Sequence, residues 1–290
     1  MFQSNKKILK NIFKKAVDET LVGKVPNNSL NQRYFKERQD FAVTRFKKQV
    51  KLLADWLVSS NERSNFTYEL RPVNYAHLAG FLSQICRITV EQAYGYIDEL
   101  IKDEDIKQVY RHVSQKYDAN TEPLWGRRIG WYVIVRVLKP ELVVETGVHY
   151  GLGALAITSA LLRNKEEGFN GKYIGLEILP QFGGFLVSPY LDVGEIIYGD
   201  SLDSLKSINK KIDVFIHDSN HEYENEMAEL ELAESKLSDK GLLISDNSYT
   251  SMALYDHARK TNKNYLHFQE ITRYHFYTGA GFGVAWHRID

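Results

Sequence analysis

Several short apolar runs in the second half of the chain end on residues able to do chemistry. Asp218-Ser219-Asn220-His221-Glu222-Tyr223 follows Val214-Phe215-Ile216-His217, and Asp246-Asn247 follows Leu242-Leu243-Ile244-Ser245. If these runs are neighbouring strands, their ends lie about 4.8 Å apart, and two carboxylates and an amide oxygen converge. Like charges that close call for a cation or a proton between them. An all-oxygen set with room for water suits Mg²⁺ or a similar hard divalent ion, which makes Asp218, Asp246 and Asn247 candidate metal ligands. The same positions also suit helix caps and turns. His221, three residues past Asp218, would face the same place, and an imidazole with a pKa near 6.5 can accept a proton at neutral pH.

Other runs end in the same manner. Leu142-Val143-Val144 leads into Glu145-Thr146-Gly147-Val148-His149-Tyr150-Gly151-Leu152-Gly153. Glycines there permit a tight turn and close backbone approach to a ligand, at the amide-rich start of a helix. The order G-x-x-x-G-x-G differs from the G-x-G-x-x-G of dinucleotide sites. An acid two residues before the first glycine suits a cationic ligand, a sulfonium, better than a phosphate. His149 would line the same hollow. Glu177, after Tyr173-Ile174-Gly175-Leu176, stands where an acid can hold both hydroxyls of a ribose. Gly199-Asp200-Ser201, after Ile196-Ile197-Tyr198, offers a carboxylate and a hydroxyl to an adenine edge.

These ends need a framework that brings them to one edge. Short β-branched runs alternate with helical spacings, at Ala154 to Leu162 and Met227 to Leu237, from about Glu122 onward. That alternation predicts a Rossmann-like, doubly wound α/β sheet. Tyr265 to Phe268 and Gly283 to Trp286 add a terminal antiparallel pair, giving seven strands, mostly parallel. Ligands in such folds bind beyond the carboxyl ends of the strands.

Residues 1–120 read differently, as a helical cap or oligomerisation domain ahead of a ligand-binding domain over 121–290. Apolar faces recur from Phe41 to Leu57 and from Ala76 to Ile85, and Thr89 with Gln92 forms a capping signature for a further helix. Val22 to Asn31 reads as a loop. Ile8, Leu9, Ile12, Phe13, Ala16 and Val17, set among lysines, predict a basic amphipathic helix that packs on its own domain or on a second copy. It lacks the contiguous apolar core of a signal peptide.

Composition narrows the function classes. Lys plus Arg and Asp plus Glu both number 37, so no global field recruits nucleic acid. Cys86 is the only cysteine and sits in an apolar run; disulfide frameworks and thiolate metal clusters are excluded, and a buried structural thiol is expected. No apolar stretch approaches the roughly 20 residues of a membrane span, so a cytoplasmic location is expected.

Together these motifs resemble the class I S-adenosylmethionine-dependent methyltransferases. The resemblance covers roughly Gly126 to Trp286. It is nearest to the metal-dependent O-methyltransferases typified by the catechol and caffeoyl-CoA enzymes, and to bacterial sugar and natural-product enzymes. Glu145 to Gly153 is similar to the first motif of that family, through Thr146, Gly147, His149 and Gly151. Glu177 matches its ribose acid and Asp200-Ser201 its adenine segment, with Asp218 beside the cofactor. Asp218, Asp246 and Asn247 fall on its metal ligands, and His221 on the position of a catalytic lysine. The string from Asp218 to Tyr223 is similar to the D-G-D-H-x-Y of one bacterial group. Gly153 departs from the pattern, standing where the catechol enzymes carry a hydroxyl residue.

The resemblance implies methyl transfer from S-adenosylmethionine to a hydroxyl, assisted by Mg²⁺ or a similar ion, with His221 as the base. The acceptor would be a small molecule or glycan. Tyr274, His275, Phe276 and Tyr277 could form an aromatic loop around it, or an ordinary hairpin. The alternatives are a nicotinamide-dependent oxidoreductase and a non-catalytic scaffold that keeps the fold.

Overall fold

The structure, a computed structural model, describes Lys15 and residues 29–59, 67–117 and 120–287. Apart from Lys15, the expected basic helix of Ile8 to Val17 lies outside the described residues, and so does most of the expected loop over 22–31. Ser29 to Asn31 are helical instead, the first residues of α1 (Ser29–Ser59). By contacts the chain divides into two compact units. One holds residues 1–60 with 274–276, the other 61–273 with 277–290. The division lies near Ser60, well before residue 120, because the helices that follow pack on the sheet. In the first unit the Trp56 ring meets Phe276 edge-on at 5.0 Å and His275 at 5.7 Å.

In the second unit a short strand β1 (Glu69–Leu70) precedes α2 (Pro72–Cys86), α3 (Val90–Lys102), α4 (Glu104–Ser114) and α5 (Arg128–Leu138). The Thr89 hydroxyl accepts from the Gln92 amide N–H, and the Gln92 side chain accepts from the Thr89 N–H, so α3 starts on a complete capping box. Cys86 is buried, and burial pushes its thiol up to about 12, far from a nucleophile. In α5, Arg128 to Arg136 are all buried, and the Arg136 guanidinium is met there by Glu99 and Asn164.

The sheet then alternates with helices: β2 (Leu142–Thr146), α6 (Leu152–Glu166), β3 (Lys172–Glu177), β4 (Gly194–Tyr198), α7 (Ser201–Ser207), β5 (Ile212–His217), α8 (Tyr223–Lys236), β6 (Leu237–Asp246), α9 (Ala253–Lys260), β7 (Lys263–Phe268), β8 (Thr272–Arg273) and β9 (Phe282–His287). Seven strands lie in the order β4-β3-β2-β5-β6-β9-β7, while β1 pairs with β8 apart from them. The first five are parallel, and β9 runs antiparallel between β6 and β7. This is the expected mostly parallel, seven-stranded sheet with an antiparallel last strand.

Alternate residues of each strand feed two apolar cores. Val143, Val214, Ile216, Leu242 and Ile244 pack with α2, α3, α5 and α6, whereas Val144, Phe215 and Leu243 pack toward α7, α8 and α9. Burial on both faces is why these strands read as continuous apolar runs. The order reverses between β2 and β5, and that switch point opens a crevice at the carboxyl ends. Among the described residues no helix is long and apolar enough to cross a membrane.

Candidate functional site at the carboxyl edge of the sheet

The turn after β2 is wound as its glycines allow. Gly147 has φ 79°, and a Cβ there would stand 2.1 Å from the Asp218 carbonyl oxygen, so only glycine lets the ends of β2 and β5 close together. His149 (φ 49°) and Gly151 (φ 95°) complete the turn. Gly151 starts α6 with no side-chain cap, which leaves the first-turn amides without a side-chain acceptor. His149 packs against Phe182 at 4.6 Å, and burial lowers its pKa.

Glu145 is placed otherwise than its sequence position suggests. Its carboxyl is 1% exposed, accepts from the Tyr173 hydroxyl at 2.5 Å and lies over Gly153, where a Cβ would stand 2.5 Å from Oε1. That overlap explains why residue 153 is glycine and not a hydroxyl residue. Burial pushes the Glu145 pKa up to about 8 against the pull of the Tyr173 hydrogen bond, so the group is largely neutral at pH 7. The Glu145 carboxyl thus lies beneath the turn, against Tyr173 and Gly153.

Glu177 spans the turn. Its Oε2 accepts from the Val148 and His149 amides at 3.0 and 2.8 Å, and its Oε1 from Leu179 at 2.9 Å. A carboxylate offers roughly four acceptor positions, so a ribose diol would have to displace an amide here. Asp200 is an exposed N-cap of α7, with Oδ1 accepting from Leu202 and Asp203. Ser201 donates to Glu229 at 2.5 Å.

Glu229, on α8, is the centre of a buried network. Its carboxylate accepts from Thr146, Ser201 and Ser219 and bonds His217 Nδ1 at 2.7 Å. Burial alone would raise its pKa; the hydrogen bonds from His217, Ser201 and Thr146 outweigh that and hold it low. Glu229 thus ties the ends of β2 and β5 to the segments leading into α7 and α8.

Asp218, Asp246, Asn247 and His221 do converge. Ligating atoms of Asp218, His221 and Asp246 lie within 4.8 Å of one another, and Asn247 Nδ2 meets His221 Nε2 at 2.8 Å. Asn247 has φ 51°, a left-handed conformation that asparagine tolerates and that turns its amide toward His221. Burial lowers the His221 pKa, so the imidazole is neutral at pH 7.

The cation in this cluster is a side chain. The Arg127 guanidinium grips Asp246 through Nε and Nη2, the latter at 2.6 Å from Oδ2, and lies 4.0 Å from Asp218 Oδ1. Its Nη1 donates to the Tyr68 hydroxyl at 3.3 Å, and Tyr68 in turn donates to Glu270 at 2.5 Å. Arg127 holds the Asp246 pKa low although burial pulls it up; burial and the Asp246 charge push Asp218 up. The donor atoms would suit a divalent ion, yet both Asp246 oxygens already face a guanidinium. As folded, the set does not fit the expected Mg²⁺.

Residues 144–248 match the family model of a methyltransferase domain. Those residues carry a methyltransferase domain. Its fold is similar to that of an O-methyltransferase from Bacillus cereus solved with S-adenosylhomocysteine, at 16% identity and a TM-score of 0.51, covering 67% of this chain and 96% of that one. It is also similar to a putative O-methyltransferase from Klebsiella pneumoniae, at 15% identity and a TM-score of 0.50, covering 66% and 96%. No curated protein sequence matches the chain.

Beside the carboxylate cluster of the methyltransferase domain lies a cavity of about 580 Å³. Arg127, Asn220, His221, Asn247, Tyr249 and Tyr277 line it, with other residues of the same loops. Tyr249 and Tyr277 join through their hydroxyls at 2.8 Å. Of the expected aromatic loop, Tyr277 lines this cavity, while residues 274–276 belong to the other compact unit.

Sequence reasoning missed Arg127 and Glu229. A signal existed for the first: an arginine at the mouth of a strongly apolar helix is placed for burial, and a buried arginine needs an acid. Glu229 had none, as one acid among many on α8.

Proposed function

We propose that the domain transfers a methyl group to a hydroxyl of a small molecule, a sugar, glycan or secondary metabolite, bound in the cavity beside His221. The observation that carries this reading is a neutral imidazole on the wall of a polar cavity, next to the glycine turn of a methyltransferase domain. The O-methyltransferases of similar fold support oxygen as the target.

S-adenosylmethionine, when bound, supplies an electrophilic methyl group. Gly153, in the first turn of α6, would offer its amide to the amino-acid end, and Gly147, His149 and Gly151 would shape the turn that admits it. Thr146 and Asp218 flank the turn, and Glu177 would exchange an amide hydrogen bond for a ribose hydroxyl. Asp200 and Ser201 would border the adenine through their backbone. His221 Nε2 would release Asn247 and accept the acceptor's proton, while Arg127 offers fixed positive charge to the oxygen as it loses that proton. Alignment of oxygen and methyl by the cavity walls would supply much of the acceleration.

The test is transfer of labelled methyl from S-adenosylmethionine to a panel of hydroxylated sugars and phenolic metabolites. Label on oxygen supports the reading. Label on nitrogen or carbon, or none across the panel, contradicts it.

A further inference from the structure

We propose that the guanidinium of Arg127 is the resident cation of this site, holding the place a divalent metal ion would otherwise take between Asp246 and Asp218. The proposal rests on the methyltransferase reading for its catalytic meaning, and on geometry alone for its occupancy. Arg127 is 4% exposed and Asp246 fully buried; Nη2 donates to Oδ2 at 2.6 Å, and Nε stands in ion-pair contact with Oδ1. That arrangement sets the positive charge against both oxygens of one carboxylate, and a charge-assisted hydrogen bond of this kind is stronger than a neutral one. A metal bound to Asp246 would need the same lone pairs and would stand against a positive charge.

The arginine is also fixed from behind. Tyr68 accepts from its Nη1, and the Tyr68 hydroxyl is held by Glu270 and by the Ala280 amide at 3.1 Å. Glu270 in turn accepts from the Gly281 amide at 2.7 Å. Gly126, just before Arg127, has φ 52° and lies against Glu270 and the Tyr68 ring, where a Cβ would come within 3.0 and 3.2 Å. Swinging the guanidinium aside for a metal would take a donor from both the Tyr68 hydroxyl and the buried Asp246. The third candidate ligand, Asn247, holds His221 through its side-chain Nδ2.

Chemically the exchange has a consequence. A guanidinium on the cavity wall supports negative charge on an acceptor oxygen without being lost to chelators, and it cannot coordinate two vicinal oxygens as a metal does. The site would therefore not require a catechol-like pair of hydroxyls, and a single hydroxyl suffices.

The test is Mn²⁺ titration of the full-length protein, followed by electron paramagnetic resonance of free Mn²⁺, on wild type and on Arg127→Ala and Arg127→Gln. Wild type is expected to show no site that Asp246→Asn abolishes, and its methyl transfer to be unchanged by EDTA. Arg127→Ala or Arg127→Gln, with the carboxylates freed, is expected to gain one Mn²⁺ per chain. A wild-type Mn²⁺ site lost in Asp246→Asn overturns the proposal, as does a chelator-sensitive activity restored by Mg²⁺. A folded Arg127 variant that stays blind to Mn²⁺ overturns it too. Should neither Arg127 variant fold, the wild-type titration decides alone. Loss of S-adenosylhomocysteine binding would strike the functional reading instead, because the Mn²⁺ measurement needs neither cofactor nor turnover.

Discussion

Two buried carboxylates stand at the same edge of the sheet and are satisfied in opposite ways. Glu229 is met by three hydroxyls and an imidazole, all contributed by segments it ties together. Asp246 is met by a guanidinium whose far side borders a cavity. The first arrangement fills the acceptor positions of its carboxylate. The second leaves charge and a neutral histidine facing an open space. A buried polar cluster at a switch point is thus no functional site by itself; what matters is whether anything remains for a ligand to use.

The contrast is sharpest in His221→Ala. Turnover should fall by about 10²–10⁴-fold, the range for loss of a general base, while urea unfolding shifts by less than about 1 kcal/mol. A variant with wild-type turnover would remove His221 from the mechanism. Glu229→Ala should do the reverse: stability falls by about 3–5 kcal/mol, because several buried donors lose their shared acceptor. An unfolding midpoint close to that of wild type would break the comparison. Any activity loss in that variant should track its folded fraction.

A third carboxyl, Glu145, sharpens the point through pH. Its folded-state pKa of about 8 lies above the ordinary 4.5, so between these values the folded chain keeps a proton that the unfolded chain has lost. Its contribution to stability is full below pH 4.5 and disappears as pH rises through 8, by at most about 1.4 kcal/mol per pH unit. Glu145→Gln should flatten this decline in unfolding free energy measured from pH 5 to 9. An unchanged slope would mean that the group is ionised in the folded state. The smallest effect is expected for Ser201→Ala, which removes one of the donors to Glu229 and should lower stability by about 1 kcal/mol with cofactor affinity unchanged.

The sheet was legible because parallel strands buried on both faces leave contiguous apolar runs, and because the residue after each run falls at one edge. That logic located Gly147, Glu177, Asp218, His221 and Asp246. It also located the terminal pair, where Tyr265 meets Ala285 and Phe268 meets Phe282. Direction and charge state were not legible. Glu145 sits at the right place in the sequence but points into the core and is neutral. Asp200 and Ser201 follow β4 as expected, yet one caps a helix and the other serves Glu229. Arg127 lies 119 residues from Asp246, a separation over which no spacing rule operates. Glu226 and Glu229 look like the solvated face of α8, and only the packed structure shows both buried, with Glu226 bound to Ser245 at 2.6 Å.

Calorimetric titration of the full-length protein with S-adenosylhomocysteine, run beside NAD⁺, tests the central claim most directly. One saturable site per chain for S-adenosylhomocysteine and no heat from NAD⁺ is the predicted result. Saturable binding of NAD⁺ with none of S-adenosylhomocysteine would contradict it.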